Sequence, residues 1–191
     1  MSRTLVSFSV LFVAVLSSIA TSPAPWSVHG QETGKFKVDR GDALEFGIEL
    51  FATAEALPQT VGGFAPQGGS GEGGLDSTLV VDLTVSTVGF DRVDTTVTAE
   101  LWMDTDEGDW LVDEFEFDVL AGEPLAVDLA ADGVFSTCEI DQDCTRSLTV
   151  VLTQTDDAKL KVKFDAHARI GAPLSGPAPD AAELEVEVAA L

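Results

Sequence analysis

Two tryptophans and a run of carboxylates stand close together in residues 97–119, VTAELWMDTDEGDWLVDEFEFDV. Read as a hairpin centred on Asp106, this segment sets Trp102 opposite Trp110 on its outward side. A facing aromatic pair stabilises a hairpin by up to ~1 kcal/mol and offers a flat surface on which a sugar ring or a partner protein can stack. Trp102 and Trp110 are therefore the candidate ligand-binding residues. The turn between them carries Asp104, Asp106 and Asp109, hard oxygen donors of the kind that Ca2+ gathers six to eight at a time. The likeness to an EF-hand loop ends quickly, because Asp109 stands where that loop needs glycine and Phe115 where it needs its last glutamate. The three aspartates are thus candidate Ca2+ ligands in a β-turn. Glu139, Asp141 and Asp143 form a second acidic group.

That second group lies between Cys138 and Cys144, the only cysteines of the chain. Their spacing is not the CxxC of a redox or zinc pair, and two close cysteines in an exported protein read as a disulfide. Closing so short a loop stabilises by about 2 kcal/mol in the chain-entropy description.

The remaining chemistry-bearing types do not assemble into a catalytic set. A nucleophilic triad needs a base beside its nucleophile, whereas His29 sits in the N-terminal segment and His167 on a polar strand face beside Asp165 and Arg169. There is no GxSxG, and no one carboxylate pair stands out for glycoside hydrolysis. The expectation is a protein that is not an enzyme, with no catalytic residue to name.

The elements that must carry these residues alternate with period two. Leu44, Phe46, Ile48 and Leu50 oppose Glu45 and Glu49, and Leu79, Val81, Leu83 and Val85 oppose Asp82, Thr84 and Ser86. The pattern recurs at 97–103, 115–119, 148–153, 159–164 and 183–188, with short strands near 35–39 and 124–129. One wet face and one apolar face mark antiparallel sheets. About nine such strands predict an all-β, antiparallel β-sandwich of immunoglobulin-like or jelly-roll type. An outer-membrane barrel would need aromatic girdles at both interfaces, and this chain has no tyrosine and three scattered tryptophans.

Residues 1–20 read as a Sec-type signal peptide: Arg3, an apolar run at 5–16 too short to span a bilayer, and small residues ending at Ala20. Residues 21–34 then read as a flexible lead-in, and 35–191 as a single sandwich domain. Inside it, 58–75 (PQTVGGFAPQGGSGEGGL) reads as a glycine-rich loop. Export implies a periplasmic, extracellular or cell-surface location.

The net charge is −23, from 33 acidic and 10 basic side chains. A surface that acidic repels phosphate backbones and anionic headgroups, which argues against nucleic-acid partners. Residues 41–145 hold 24 of the acids and one base, Arg92. The rows Lys159/Lys161/Lys163 and Glu183/Glu185/Glu187 share a spacing, and antiparallel pairing would set them opposite one another. Together these readings point to an acidic, exported sandwich with a structural, adhesive or matrix role and a cation, Ca2+, at its surface. The alternative is a carbohydrate-binding module built on Trp102 and Trp110.

Overall fold

The computed structural model describes residues 25–57, 76–90, 92–105, 108–139, 142–175 and 180–191. The expected signal peptide and the glycine-rich loop lie outside those residues, as does Asp106. Nine strands run through the described residues: β1 (Pro25–Val38), β2 (Leu44–Ala52), β3 (Asp76–Thr87), β4 (Thr95–Met103), β5 (Trp110–Val119), β6 (Leu125–Asp132), β7 (Cys144–Gln154), β8 (Leu160–Ser175) and β9 (Leu184–Ala190). They form a four-stranded sheet, β1-β8-β3-β6, and a five-stranded sheet, β5-β4-β7-β2-β9. Every pairing is antiparallel.

The pairings nest. β4 pairs with β5, β3 with β6, β2 with β7 and β1 with β8. The chain therefore folds back on itself as one long hairpin whose tip is the β4–β5 turn. Rolling that hairpin adds the β3–β8 and β4–β7 pairings that complete the two sheets. This is the jelly-roll form of the antiparallel β-sandwich, with β9 added beside β2.

Alternation supplies the core. The apolar faces of β2, β3, β4, β7 and β8 turn inward, and Phe46, Ile48, Leu50, Val81, Val85 and Val150 are fully buried. At one end of the core Phe46 of the five-stranded sheet meets Phe36 and Phe164 of the four-stranded one. The three ring centroids lie 5.1, 5.3 and 5.5 Å apart, within the range in which aromatic rings attract beyond their area burial.

Three features differ from the sequence reading. Strand β1 begins at Pro25, so pairing extends well into the segment read as a flexible lead-in. Its inward positions run Val28, Gly30, Glu32, Gly34, Phe36, Val38, and two glycines and a glutamate hide the apolar face. Those glycines have a packing reason. A Cβ on Gly30 would come within 2.5 Å of the Leu184 carbonyl oxygen, and one on Gly34 within 2.5 Å of the Phe164 ring. β1 thus passes close to β9 at one edge of the sandwich and lays its backbone against an aromatic ring.

The second difference is a bulge. Leu101 pairs with Asp113 but Trp102 with Leu111, which leaves Val112 as an extra residue in β5. Asp113, in step with Phe115, Phe117 and Val119, occupies an inward register at the open edge, where its Oδ2 accepts from the Ala130 amide of β6 at 2.9 Å and its Oδ1 from the Glu114 amide at 3.0 Å. One carboxylate so bridges two edge strands from different sheets, an inward charge of the kind that discourages edge-to-edge aggregation.

The third is strand adjacency. β8 lies between β1 and β3 while β9 lies beside β2, so the lysine row and the glutamate row fall in different sheets. Lys163 faces Lys35, Lys161 faces Lys37, and Glu187 faces Glu49. Charge complementarity between two rows does not outweigh the nested topology that brings β1 and β8 together.

Candidate functional site

The expected aromatic platform is not formed. Because of the bulge, Trp102 lies across from Leu111, and Trp110 across from Met103 on the other side of the hairpin. Trp102 is half-buried, its indole Nε1 donating to Glu100 Oε2 at 2.9 Å, whereas Trp110 is 68% exposed. A one-residue insertion reverses the facing of every side chain beyond it, and that is why symmetry about Asp106 does not place the two indoles together.

Of the candidate calcium ligands, Asp104 and Asp109 are exposed. The turn is held by Thr105, whose carbonyl accepts from the Gly108 amide and whose hydroxyl donates to the Gly108 carbonyl. Among the described residues no group of three or more His, Cys, Asp or Glu side chains is arranged to hold a metal ion. Cys138 and Cys144 are joined as a disulfide with Cα atoms 6.0 Å apart. Their loop is tied to its surroundings by Arg146, which donates to the Val134 carbonyl and to the Thr137 hydroxyl, and by Asp143, which accepts from the Ala54 amide.

What the fold assembles is two outer sheet faces of different character, one with lysine and aspartate rows side by side and the other with carboxylates alone. On the four-stranded sheet, β1 and β8 present two directly opposed lysine pairs, Lys35–Lys163 and Lys37–Lys161. One strand step away, Asp165, Asp82 and Asp128 line up across β8, β3 and β6. Beyond them stand His167 and then His29 and Arg169. Asp165 accepts both of its side-chain bonds from Gln31 Nε2, at 2.8 and 3.0 Å. His167 Nδ1 lies 3.7 Å from Asp82 Oδ2, and Arg169 Nη1 lies 3.6 Å from Asp76 Oδ2. Between the lysine and aspartate rows runs an open groove lined by Thr33, Gly34, Lys35, Asp82, Thr84, Lys163, Phe164 and Asp165.

The aspartate row carries its own electrostatic signature. Burial, then a hydrogen bond shared with Asp128 and the negative charge of that residue, raise the Asp82 carboxyl above its ordinary value of 3.8; His167 pulls in the opposite direction. A raised carboxyl stabilises the fold fully below its unfolded value, and that contribution is lost as pH rises through the folded value. Asp82→Asn should therefore stabilise the fold at pH 7, by about a few tenths of a kcal/mol for each relieved like-charge pair, and raise the melting temperature accordingly. The gain should shrink as the pH falls toward 4. Melts of the two proteins across that range check it, and a gain independent of pH would refute the assignment.

The outer face of the five-stranded sheet carries charge of one sign. Glu45 and Glu49 on β2, Glu185 and Glu187 on β9, Glu100 on β4, and Glu114, Glu116 and Asp118 on β5 all point away from the core. Glu49 faces Glu187 and Glu100 faces Glu114 directly. No lysine or arginine lies on the outward positions of these strands. Neither the aspartate row nor this face was legible from spacing alone, since both depend on registers between strands distant in sequence.

No protein-family model and no curated protein matches the chain. Among solved structures, the chain is similar to a cryo-EM structure of Broad Bean Stain Virus, at 11% identity over 71% of this chain and 92% of that one, with a TM-score of 0.32. It is likewise similar to an empty virus-like particle of Cowpea Mosaic Virus, at 12% identity over 81% of this chain and 86% of that one, TM-score 0.31. A structure of infectious bursal disease virus, Gx strain, shares 11% identity over 83% of this chain and 40% of that one, TM-score 0.29. At that distance the likenesses carry no argument about what this chain does, and its architecture rests on its own strand order.

Proposed function

We propose that the protein is exported to the periplasm, the cell surface or the medium and serves there as a non-enzymatic structural or adhesive module. The observation that carries this reading is the pair of flat outer sheet faces, one bearing lysine pairs and the other a field of carboxylates. Surfaces of that kind make contacts by area and charge. The disulfide is compatible with an oxidising compartment, and no described helix is long and apolar enough to cross a membrane. Glycan binding through a tryptophan pair loses its geometric support with the bulge, and a glycan reading now rests on Trp110 alone.

Fractionation of producing cells should recover the protein outside the cytoplasm, in the periplasm, at the surface or in the medium, and deleting its gene should reduce cohesion between cells under shear. Recovery in the cytoplasmic fraction alone, or unchanged cohesion in the deletion strain, would refute the proposal. The calcium role is tested separately, by adding millimolar CaCl2 to a thermal melt. Carboxylates that gather a cation raise the midpoint, and an unchanged midpoint removes Ca2+ from the account.

A further inference from the structure

We infer that the lysine grid of the four-stranded sheet docks on the carboxylate face of the five-stranded sheet of a second copy, joining copies into an open linear array. This deepens the structural reading above and rests on it for its biological meaning.

The first support is electrostatic tension within one copy. Lys35 opposes Lys163, and Lys37 opposes Lys161, on adjacent strands. Among the described residues none of these four ammoniums has an ion-pair or hydrogen-bond partner, whereas nearby Lys159 reaches Asp39 at 3.2 Å. The other face carries two directly opposed carboxylate pairs, Glu49–Glu187 and Glu100–Glu114, one on either side of β7. Like charges set directly opposite one another are destabilising. Among the described residues no ion pair relieves either set within the sandwich, and contact between copies supplies opposite charge to both.

The second support is spacing. The lysines stand two residues apart along β1 and along β8 and directly opposite one another across them, a patch of about 7 Å by about 5 Å. On the other face the longer step separates Glu185 from Glu187 and Glu114 from Glu116, and the shorter one Glu49 from Glu187 and Glu100 from Glu114. A polyanion of another kind would meet the lysines too, but the carboxylate face offers the same two steps and belongs to the same molecule. The two faces lie on opposite sides of the sandwich, so the contact is heterologous and each added copy leaves one face of each sort free.

Net charge sets an unusual salt dependence. Copies carrying −23 repel at long range, whereas facing ammonium and carboxylate groups attract only in near contact. At about 0.15 M salt the screening length is about 8 Å, which suppresses the first more than the second. Association should be weak at very low salt, strongest at intermediate salt, and lost again at molar salt.

Sedimentation velocity of the purified protein over a salt series tests this, alongside Lys35→Gln/Lys163→Gln and Glu49→Gln/Glu187→Gln, each first shown to keep the wild-type circular dichroism. Wild type should give a concentration-dependent series of oligomers with a maximum at intermediate salt. Each double variant alone should associate several-fold more weakly, while their equimolar mixture forms dimers that grow no further, since it pairs one intact face of each sort. A wild-type monomer at every salt concentration would overturn the inference, as would variants that assemble like wild type or a mixture that polymerises. Retention of monomeric wild type on a sulfated-polysaccharide column, lost in Lys35→Gln/Lys163→Gln, would assign the grid to a polyanion instead. A monomeric protein whose deletion still weakens cell cohesion would overturn the array and leave the surface role standing.

Discussion

Phe46→Ala should lower the unfolding free energy by about 3–5 kcal/mol, the range for removing a large aromatic side chain from a packed core. Phe46 is fully buried and touches the rings of Phe36 and Phe164 from the opposite sheet. Its removal leaves a cavity between two sheets whose spacing is fixed by all the other contacts, so the neighbours relax little. Phe115→Ala is the matched control. Strand alternation gives Phe115 the same inward register as Ala99, yet it is 51% exposed because β5 lies at the edge of its sheet. It should cost within about 0.5 kcal/mol, as surface substitutions generally do. Urea unfolding of both variants, read as midpoints with unchanged slopes, measures the difference. Equal losses would mean that the β5 edge is covered in solution.

Gly30→Val should cost about 2–3 kcal/mol through overpacking. The nearest atom to a new Cβ is a backbone oxygen, that of Leu184 at 2.5 Å, with the Val186 Cγ2 at 2.9 Å. A backbone atom cannot swing aside as a side-chain tip does, so β1 and β9 must separate. Valine otherwise suits a strand better than glycine does, so intrinsic propensity alone predicts the opposite sign. Hydrogen exchange should show the loss concentrated in β1 and β9. A stabilised variant would mean that the two strands do not approach one another.

These two positions also show how far the sequence could be read. Where the inward face of a strand is wholly apolar, as with Phe46, Ile48 and Leu50 or Val81, Leu83 and Val85, alternation reveals the strand and its buried side. It misses the first part of β1, where Gly30 and Gly34 replace apolar residues because the space is already filled by Leu184, Val186 and Phe164, and where Glu32 between them is exposed. It misplaces the tryptophans, since a bulge at Val112 leaves no mark in residue types. The aspartate row spans Asp82, Asp128 and Asp165, and nothing about any one of those residues distinguishes it from the other acids of the chain. Period-two patterning reports which side of a strand is buried. It is silent on which strands are neighbours, and both charged faces are properties of neighbourhood.

The nested pairing has a consequence in time. Val28 pairs with Ile170, and Leu79 pairs with Ala168 on the other flank of β8, so β8 is the keystone between β1 and β3. Until that next-to-last strand is available, β1 has no neighbour within its sheet. Ordering the chain therefore requires closing loops of more than a hundred residues before most of the reward arrives, which makes such topologies slow to fold. A chain emerging vectorially, N-terminus first, stays open and threadable for most of its length and locks shut only near the end. On the export proposed above, that delay would be a working interval in which the chain can still pass through a narrow channel.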